Sequence, residues 1–84
     1  MATTPPDEYA QTLATVFREA REAAGMSQKK LAELSGVGRT GIVNFEAAKR
    51  NPSILICQML ADGMGVSLSS LITEVEKQTK KGKK

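Results

Sequence analysis

The residues that most directly suggest a chemical function are the glycines of segment 36–41, GVGRTG, which match the pattern G-x-G-x-x-G. In a dinucleotide-binding domain this spacing lets backbone amides surround a pyrophosphate, provided that a buried strand precedes the glycines and a helix follows them. The preceding segment, KKLAELS, instead has the apolar spacing of a helix, and no second strand follows. We therefore expect the glycines to form a turn, and we expect no cofactor.

The composition argues against catalysis and metal binding as well. The 84 residues include no histidine and a single cysteine, Cys57, so the usual ligands of a zinc site are missing. The acidic residues Glu19, Glu22 and Glu33 fit exposed helix faces rather than a pocket. We expect neither an enzyme nor a small-molecule ligand.

The net charge of +3 is unevenly distributed along the chain. Through Glu76 there are 7 basic and 9 acidic residues, a balance of −2, and five lysines follow within the last eight residues. That lysine tail could attract phosphates without specificity or could act only as a solubilising end. Segment 27–53 contains five basic and two acidic residues, and its local charge of +3 is the one tied to a fold.

The length and the apolar pattern predict one small domain and a cytoplasmic location. The opening MATTPPDEYA lacks the order of a secretory signal, and no apolar run approaches the roughly 20 residues that span a membrane. A single cysteine suits a reducing compartment. We expect no membrane contact.

Apolar residues recur at spacings of three and four, and no segment alternates with period two, which predicts an all-α fold of five helices. Serines precede the second, fourth and fifth helices, and glycines end the first, second and fourth. We expect a flexible arm at 1–7, a folded domain at 8–76 with its third helix at about 39–47, and a disordered basic tail at 77–84. The inward faces of the second and fourth helices are expected to comprise Leu31, Ala32 and Leu34, and Ile54, Cys57, Leu60, Ala61 and Met64.

Two short helices joined by a tight turn at Gly36 are the parts of a helix-turn-helix. Residues 17–72 resemble the phage-repressor, Cro/CI-like (XRE) helix-turn-helix family through G-x-S-Q-x-x-L-A, then S-G-V, then R-N-P-S. The resemblance implies a five-helix, lambda-repressor-like DNA-binding domain. It implies that the third helix enters the major groove and that the second helix points its N-terminus at a phosphate.

On that resemblance, Arg39, Thr40, Val43 and Asn44 are the expected base-reading residues. Arginine can bind guanine, asparagine can bind adenine, and valine or a threonine methyl can contact a thymine methyl. Arg39 could instead contact a phosphate, which would add affinity without sequence information.

Five further residues are expected at the DNA backbone: Gln28, Lys29, Lys30, Lys49 and Arg50. Gln28 adds a side-chain amide to the free backbone amides at a helix N-terminus, which favour an anion. Lys29 and Lys30 could alternatively be solvated surface residues. The family resemblance also pairs Arg21 with Glu46 as a largely structural ion pair.

The third helix departs from the family at Gly38, which replaces a capping serine or threonine, and at Gly41 inside the helix. A glycine inside a helix costs roughly 1 kcal/mol relative to alanine, so we expect Gly41 to permit a close approach to the second helix or to the DNA backbone.

Large apolar residues on the outer faces of the fourth helix suggest a partner surface. Leu55, Ile56 and Met59, with Ile72 or Val75, are assigned to a homodimer interface; a wider core covered by the N-terminal arm is the alternative. The predicted function is a sequence-specific transcriptional regulator, a repressor or controller protein that binds double-stranded DNA as a homodimer. A protein-interaction module on the same fold, such as an antitoxin or a coactivator-type adaptor, is the alternative.

Overall fold

The computed structural model describes residues 6–49 and 51–81, and the predicted all-helical fold is confirmed. The five helices are α1 (Pro6–Ala23), α2 (Gln28–Ser35), α3 (Arg39–Glu46), α4 (Ile54–Met64) and α5 (Leu68–Lys81). The predictions for residues 1–5, Arg50 and residues 82–84 lie outside the described residues. Within the described part no single helix is long and apolar enough to cross a membrane; α4 and α5 meet that criterion only together, and they are bent by 110° at their junction.

Side-chain caps and left-handed glycines define the helix ends that the sequence predicts. The Ser27 and Ser53 hydroxyls accept hydrogen bonds from the backbone amides of Lys30 at 3.0 Å and Ile56 at 3.1 Å. Gly36 and Gly65 have φ values of 81° and 75° at the ends of α2 and α4. These conformations are easy for glycine and satisfy carbonyl groups that the helix leaves free.

The core joins all five helices. Helix α1 packs against α3 and α5, whereas α2 packs against α3 and α4, and α4 also contacts α5. Phe17 of α1 and Phe45 of α3 meet with ring centroids 5.0 Å apart, which is within the usual range for a favourable aromatic pair. Ile42, Leu60 and Val75 are the largest completely buried side chains.

A buried ion pair also ties α1 to α3. The Arg21 Nε and Nη2 atoms donate to the two carboxylate oxygens of Glu46, at 2.7 and 3.0 Å. The side chains are only 11% and 8% exposed. Hydrogen bonding to Glu46 raises the pKa of Arg21 above its usual value, although burial acts in the opposite direction, so the guanidinium remains charged.

Both ends of the folded domain extend beyond the expected range of 8–76. Helix α1 begins at Pro6, whose fixed φ suits the first turn of a helix. Helix α5 continues to Lys81 rather than ending at Glu76, so the expectation of a disordered tail from residue 77 was wrong for residues 77–81. The extension packs against the rest of the domain at Thr79, which is 5% exposed and whose hydroxyl donates to the Val75 carbonyl at 3.0 Å.

Two residues expected on inward faces are exposed. Leu34 is 51% exposed because α2 presents the face of Leu31 and Ser35 to α4. Ile54 is 71% exposed because it occupies the first turn of α4, whereas the buried residues Cys57, Leu60, Ala61 and Met64 lie further along the helix.

Helices α2 and α4 cross at a glycine. A Cβ atom added to Gly63 would lie 2.8 Å from the Cβ and 3.0 Å from the Cα of Ser35. The same atom added to Gly41 would meet only the Val37 Cγ1 atom, at 3.4 Å. In this structure, therefore, Gly63 is required by helix packing, and Gly41 is not required for an approach to α2.

We predict that Gly63→Ala lowers the free energy of unfolding by about 1–3 kcal/mol, because overpacking exceeds the gain in helix propensity. Gly41→Ala is the matched substitution in another helix, and it should raise the free energy by up to about 1 kcal/mol. Urea unfolding of both variants checks the pair. A shift of both variants in the same direction would contradict the packing account.

We predict that Arg21→Ala destabilises the protein by about 3 kcal/mol, because it leaves the Glu46 carboxylate buried without its cation. Thermal unfolding should then shift by roughly 10 °C or more. Arg18→Ala, which removes an exposed arginine from the same helix, is the control and should change stability by less than about 0.5 kcal/mol. Equal melting temperatures for the two variants would refute the structural role of the pair.

Candidate nucleic-acid interface

The segment GVGRTG forms the turn and the first residues of α3. Gly36 ends α2, Val37 is buried at 8% exposure, and Gly38 occupies the N-cap position in an extended conformation. The Ser35 hydroxyl accepts the Val37 backbone amide at 3.1 Å, which holds the turn in place. Gly38 provides no side-chain cap, so the orientation of α3 depends on its buried residues.

The predicted base-reading residues lie together on the outer side of α3. Ile42 and Phe45 face the core and are 1% and 4% exposed. The remaining positions of α3 include exposed Arg39, Thr40 and Val43 and half-buried Asn44. Because these residues are spaced at three and four, they form one continuous face. That face combines a cation, a hydroxyl, an amide and an apolar group, which can contact the edges of bases.

The N-terminus of α2 is the second part of the candidate site. Lys29 and Lys30 are exposed there. The Lys30 amide donates to the Ser27 hydroxyl, and the Leu31 amide donates to the Ser27 carbonyl. The backbone amides of Gln28 and Lys29 come before these hydrogen bonds. Free amides and two lysines make this end of the helix favourable for an anion.

Gln28 has a contact that sequence reasoning missed. Its Nε2 atom donates to the Glu46 Oε1 atom at 3.0 Å, so the buried carboxylate accepts from α2 as well as from α1. Arg21 also donates from Nη1 to the Met26 carbonyl at 2.7 Å. The pair therefore holds α1, the loop before α2, the start of α2 and the end of α3.

The loop after α3 contains the remaining predicted backbone contacts. Lys49 is exposed, and its backbone amide donates to the Asn44 carbonyl at 3.0 Å. Ala48 has a φ of 58°, a left-handed conformation that is uncommon for alanine. Arg50 lies outside the described residues.

The predicted dimer residues differ in their solvent exposure. Leu55 is 63% exposed, whereas Ile56, Met59 and Ile72 are half-buried and pack against the core. Val75 is 0% exposed, so its assignment to a dimer interface was wrong: the inward face of α5 includes it. Ile54 was not assigned to the interface, yet it lies beside Leu55 and is 71% exposed.

The free thiol of Cys57 is not a candidate nucleophile. It is buried, and that burial raises the pKa of the thiol. Reactive cysteines are instead partly exposed and have lowered pKa values.

Comparisons with known proteins identify the family of this chain. The helix-turn-helix family model matches residues 17–71 of the chain. The transcriptional regulator PuuR of Escherichia coli is 41% identical over 59 residues, which cover 70% of this chain and 32% of PuuR. This chain therefore spans about a third of the length of that relative. The control protein C.SmaI of Serratia marcescens is 35% identical over 63 residues, which cover 75% of each chain.

Solved structures of the restriction-modification controller protein C.Esp1396I have the same fold. A point mutant of C.Esp1396I aligns with a TM-score of 0.78 at 27% identity, covering 83% of this chain and 89% of that one. A C.Esp1396I tetramer in complex with its natural 35-base-pair operator aligns with a TM-score of 0.72 at 30% identity, covering 80% and 93%. These relatives are regulators and controller proteins, which are not enzymes. The chain belongs to the XRE type of the helix-turn-helix family.

Proposed function

We propose that this protein is a DNA-binding transcriptional regulator, a repressor or controller protein that binds a specific operator as a homodimer through α3. The observation that carries the proposal is the division of α3 into two faces. Ile42 and Phe45 hold the helix against the core, and Arg39, Val43 and Asn44 remain outside with Thr40. The similarity to C.Esp1396I, whose solved complex contains an operator, supports operator binding by this chain.

The chemistry of the outer face supports base recognition. The Arg39 guanidinium can donate two hydrogen bonds to guanine O6 and N7, and the Asn44 amide can pair with adenine N6 and N7. Val43 is 41% exposed, and together with the Thr40 methyl group it can contact thymine methyl groups. Arg39 is the first residue of α3, so a phosphate contact is its alternative role.

Backbone contacts on both sides of α3 would hold it in register. Lys29 and Lys30 lie at the start of α2, and Lys49 lies after the end of α3. We assign Arg50 to the same role from its sequence position. Gln28 would contribute its side-chain amide. Such contacts supply affinity and orientation without reading sequence.

The proposed dimer interface is the exposed apolar end of α4. Leu55 is its most exposed member among the residues predicted from the sequence, and the other members are half-buried Ile56 and Met59 of α4 and Ile72 of α5. Adjacent Ile54 adds a second strongly exposed apolar side chain. In such a two-fold dimer we expect the two copies of α3 to read half-sites in successive major grooves, about 34 Å apart.

The alternative function is an antitoxin or a coactivator-type adaptor. In that case the exposed side chains of Ile54 and Leu55 would contact a different protein. DNA binding by an antitoxin would still use α3, whereas a pure adaptor would not depend on Arg39 or Asn44.

We predict that Arg39→Ala and Asn44→Ala each lower affinity for the preferred site by about 10- to 100-fold and relax the preference at one base pair per half-site, because each removes a bidentate base contact. The operator is first obtained by selecting bound sequences from random duplexes. Fluorescence anisotropy then measures affinity for that operator and for single-base variants.

Arg18→Ala is the charge-matched control, since it removes an exposed arginine from α1. It should leave the base preference unchanged. Unchanged preference in both α3 variants would contradict base reading by this face, and a uniform loss over all sequences in Arg39→Ala would assign Arg39 to a phosphate.

We predict that Leu55→Asp converts the protein from dimer to monomer at micromolar concentration, because it places a charge in a desolvated apolar contact. Leu34→Asp is the matched control, since Leu34 is 51% exposed on α2 and Leu55 is 63% exposed on α4. Sedimentation equilibrium distinguishes the two variants. A monomeric wild type, or a Leu55→Asp variant that still dimerises, would refute the interface.

A further inference from the structure

We propose that Glu46 is a positioning residue for DNA binding: its carboxylate fixes the Gln28 amide so that one N–H of that amide meets a DNA phosphate. This inference rests on the proposed function. It goes beyond a structural ion pair, because it makes one buried carboxylate responsible both for the placement of α3 and for a backbone contact made by α2.

The Glu46 carboxylate accepts three hydrogen bonds from two other helices. Its Oε2 atom accepts from the Arg21 Nε atom at 2.7 Å, and its Oε1 atom accepts from the Arg21 Nη2 atom and the Gln28 Nε2 atom, both at 3.0 Å. The Glu46 side chain is 8% exposed, so water competes little with Gln28 for this carboxylate.

An ionised carboxylate only accepts hydrogen bonds, so it selects the nitrogen of the Gln28 amide over the oxygen. A glutamine amide carries two N–H donors on one nitrogen. Glu46 takes the first donor, and the second stays available. Without Glu46 the amide could rotate by half a turn and present its carbonyl oxygen, which would repel a phosphate.

Gln28 lies at the helix end where a DNA phosphate is expected, so its second N–H can donate to that phosphate. Gln28 is the first residue of α2, directly after the Ser27 cap. Lys29 and Lys30 beside it are exposed. Free backbone amides, the positive end of the helix and the Gln28 side-chain amide all belong to this end of α2, and each of them favours a phosphate.

Because Glu46 is the last residue of α3, the same carboxylate also anchors the helix that faces the bases. The phosphate contact and the base contacts therefore share one rigid support. Misplacement of Glu46 would weaken both, whereas loss of Gln28 would weaken only the phosphate contact.

The test is a double-mutant cycle between Gln28 and the buried pair, measured on the selected operator. Gln28→Met removes the amide at similar size. The double variant Arg21→Met with Glu46→Leu removes both charges together, which is often tolerated where removal of one is not. In wild type, Gln28→Met should weaken operator binding roughly 5- to 10-fold. In the double variant without the ion pair, called here the pairless variant, it should weaken binding by less than about 2-fold.

A phosphate readout separates positioning from stability. In duplexes with single uncharged methylphosphonates, one position per half-site should weaken the wild type and should no longer affect either Gln28→Met or the pairless variant. Arg18→Met, at an exposed residue of α1 outside the proposed DNA contacts, is the control and should keep the sensitivity at that position. Equal effects of Gln28→Met in both backgrounds would overturn the positioning role.

If the pairless variant does not fold, a measurement on the wild type alone still tests whether one N–H of Gln28 contacts a phosphate. In ¹⁵N spectra, operator DNA should strongly move one of the two side-chain amide protons of Gln28, but not when the critical phosphate is a methylphosphonate. Unmoved protons would overturn the inference. A wild type without any preferred duplex would instead refute the proposed function itself.

Discussion

The buried pair of Arg21 and Glu46 is the interaction on which the DNA-facing half of the molecule depends. The two side chains are 11% and 8% exposed, so their desolvation is costly and only good geometry offsets it. The geometry is bidentate, with Nε and Nη2 of the arginine bound to the two carboxylate oxygens. The pair thereby adds little net stability but permits one arrangement of α1 and α3, and Gln28 extends that constraint to α2.

Such a constraint matters because α2 and α3 are too short to be stable as isolated helices. Each has eight residues, and helices shorter than roughly 12 residues are marginal in water. Helix α3 also lacks a side-chain cap at Gly38 and contains Gly41. Its conformation therefore comes from tertiary contacts: Ile42 and Phe45 in the core, and Glu46 in the ion pair at its end.

The sequence predicted features that local chemistry determines. Serine caps and glycine ends identified α2 and α4, because their signals lie within a few residues. Features that depend on angles between helices were predicted less well. Leu34 and Ile54 have the right spacing for burial, yet the neighbouring helices do not cover them, and Val75 belongs to the core rather than to an outer surface. The bond between Gln28 and Glu46 could not be predicted, since it requires the crossing geometry of α2 and α3.

The central claim is that the outer face of α3 meets base edges in the major groove, with two copies on one operator. Protection of guanine N7 from methylation by dimethyl sulfate reports on major-groove contacts directly. If two copies of α3 occupy the major groove, the selected operator should show two protected patches, about one helical turn apart and symmetric about its centre. Binding that leaves guanine N7 fully reactive, or that protects a single patch, would contradict the central claim.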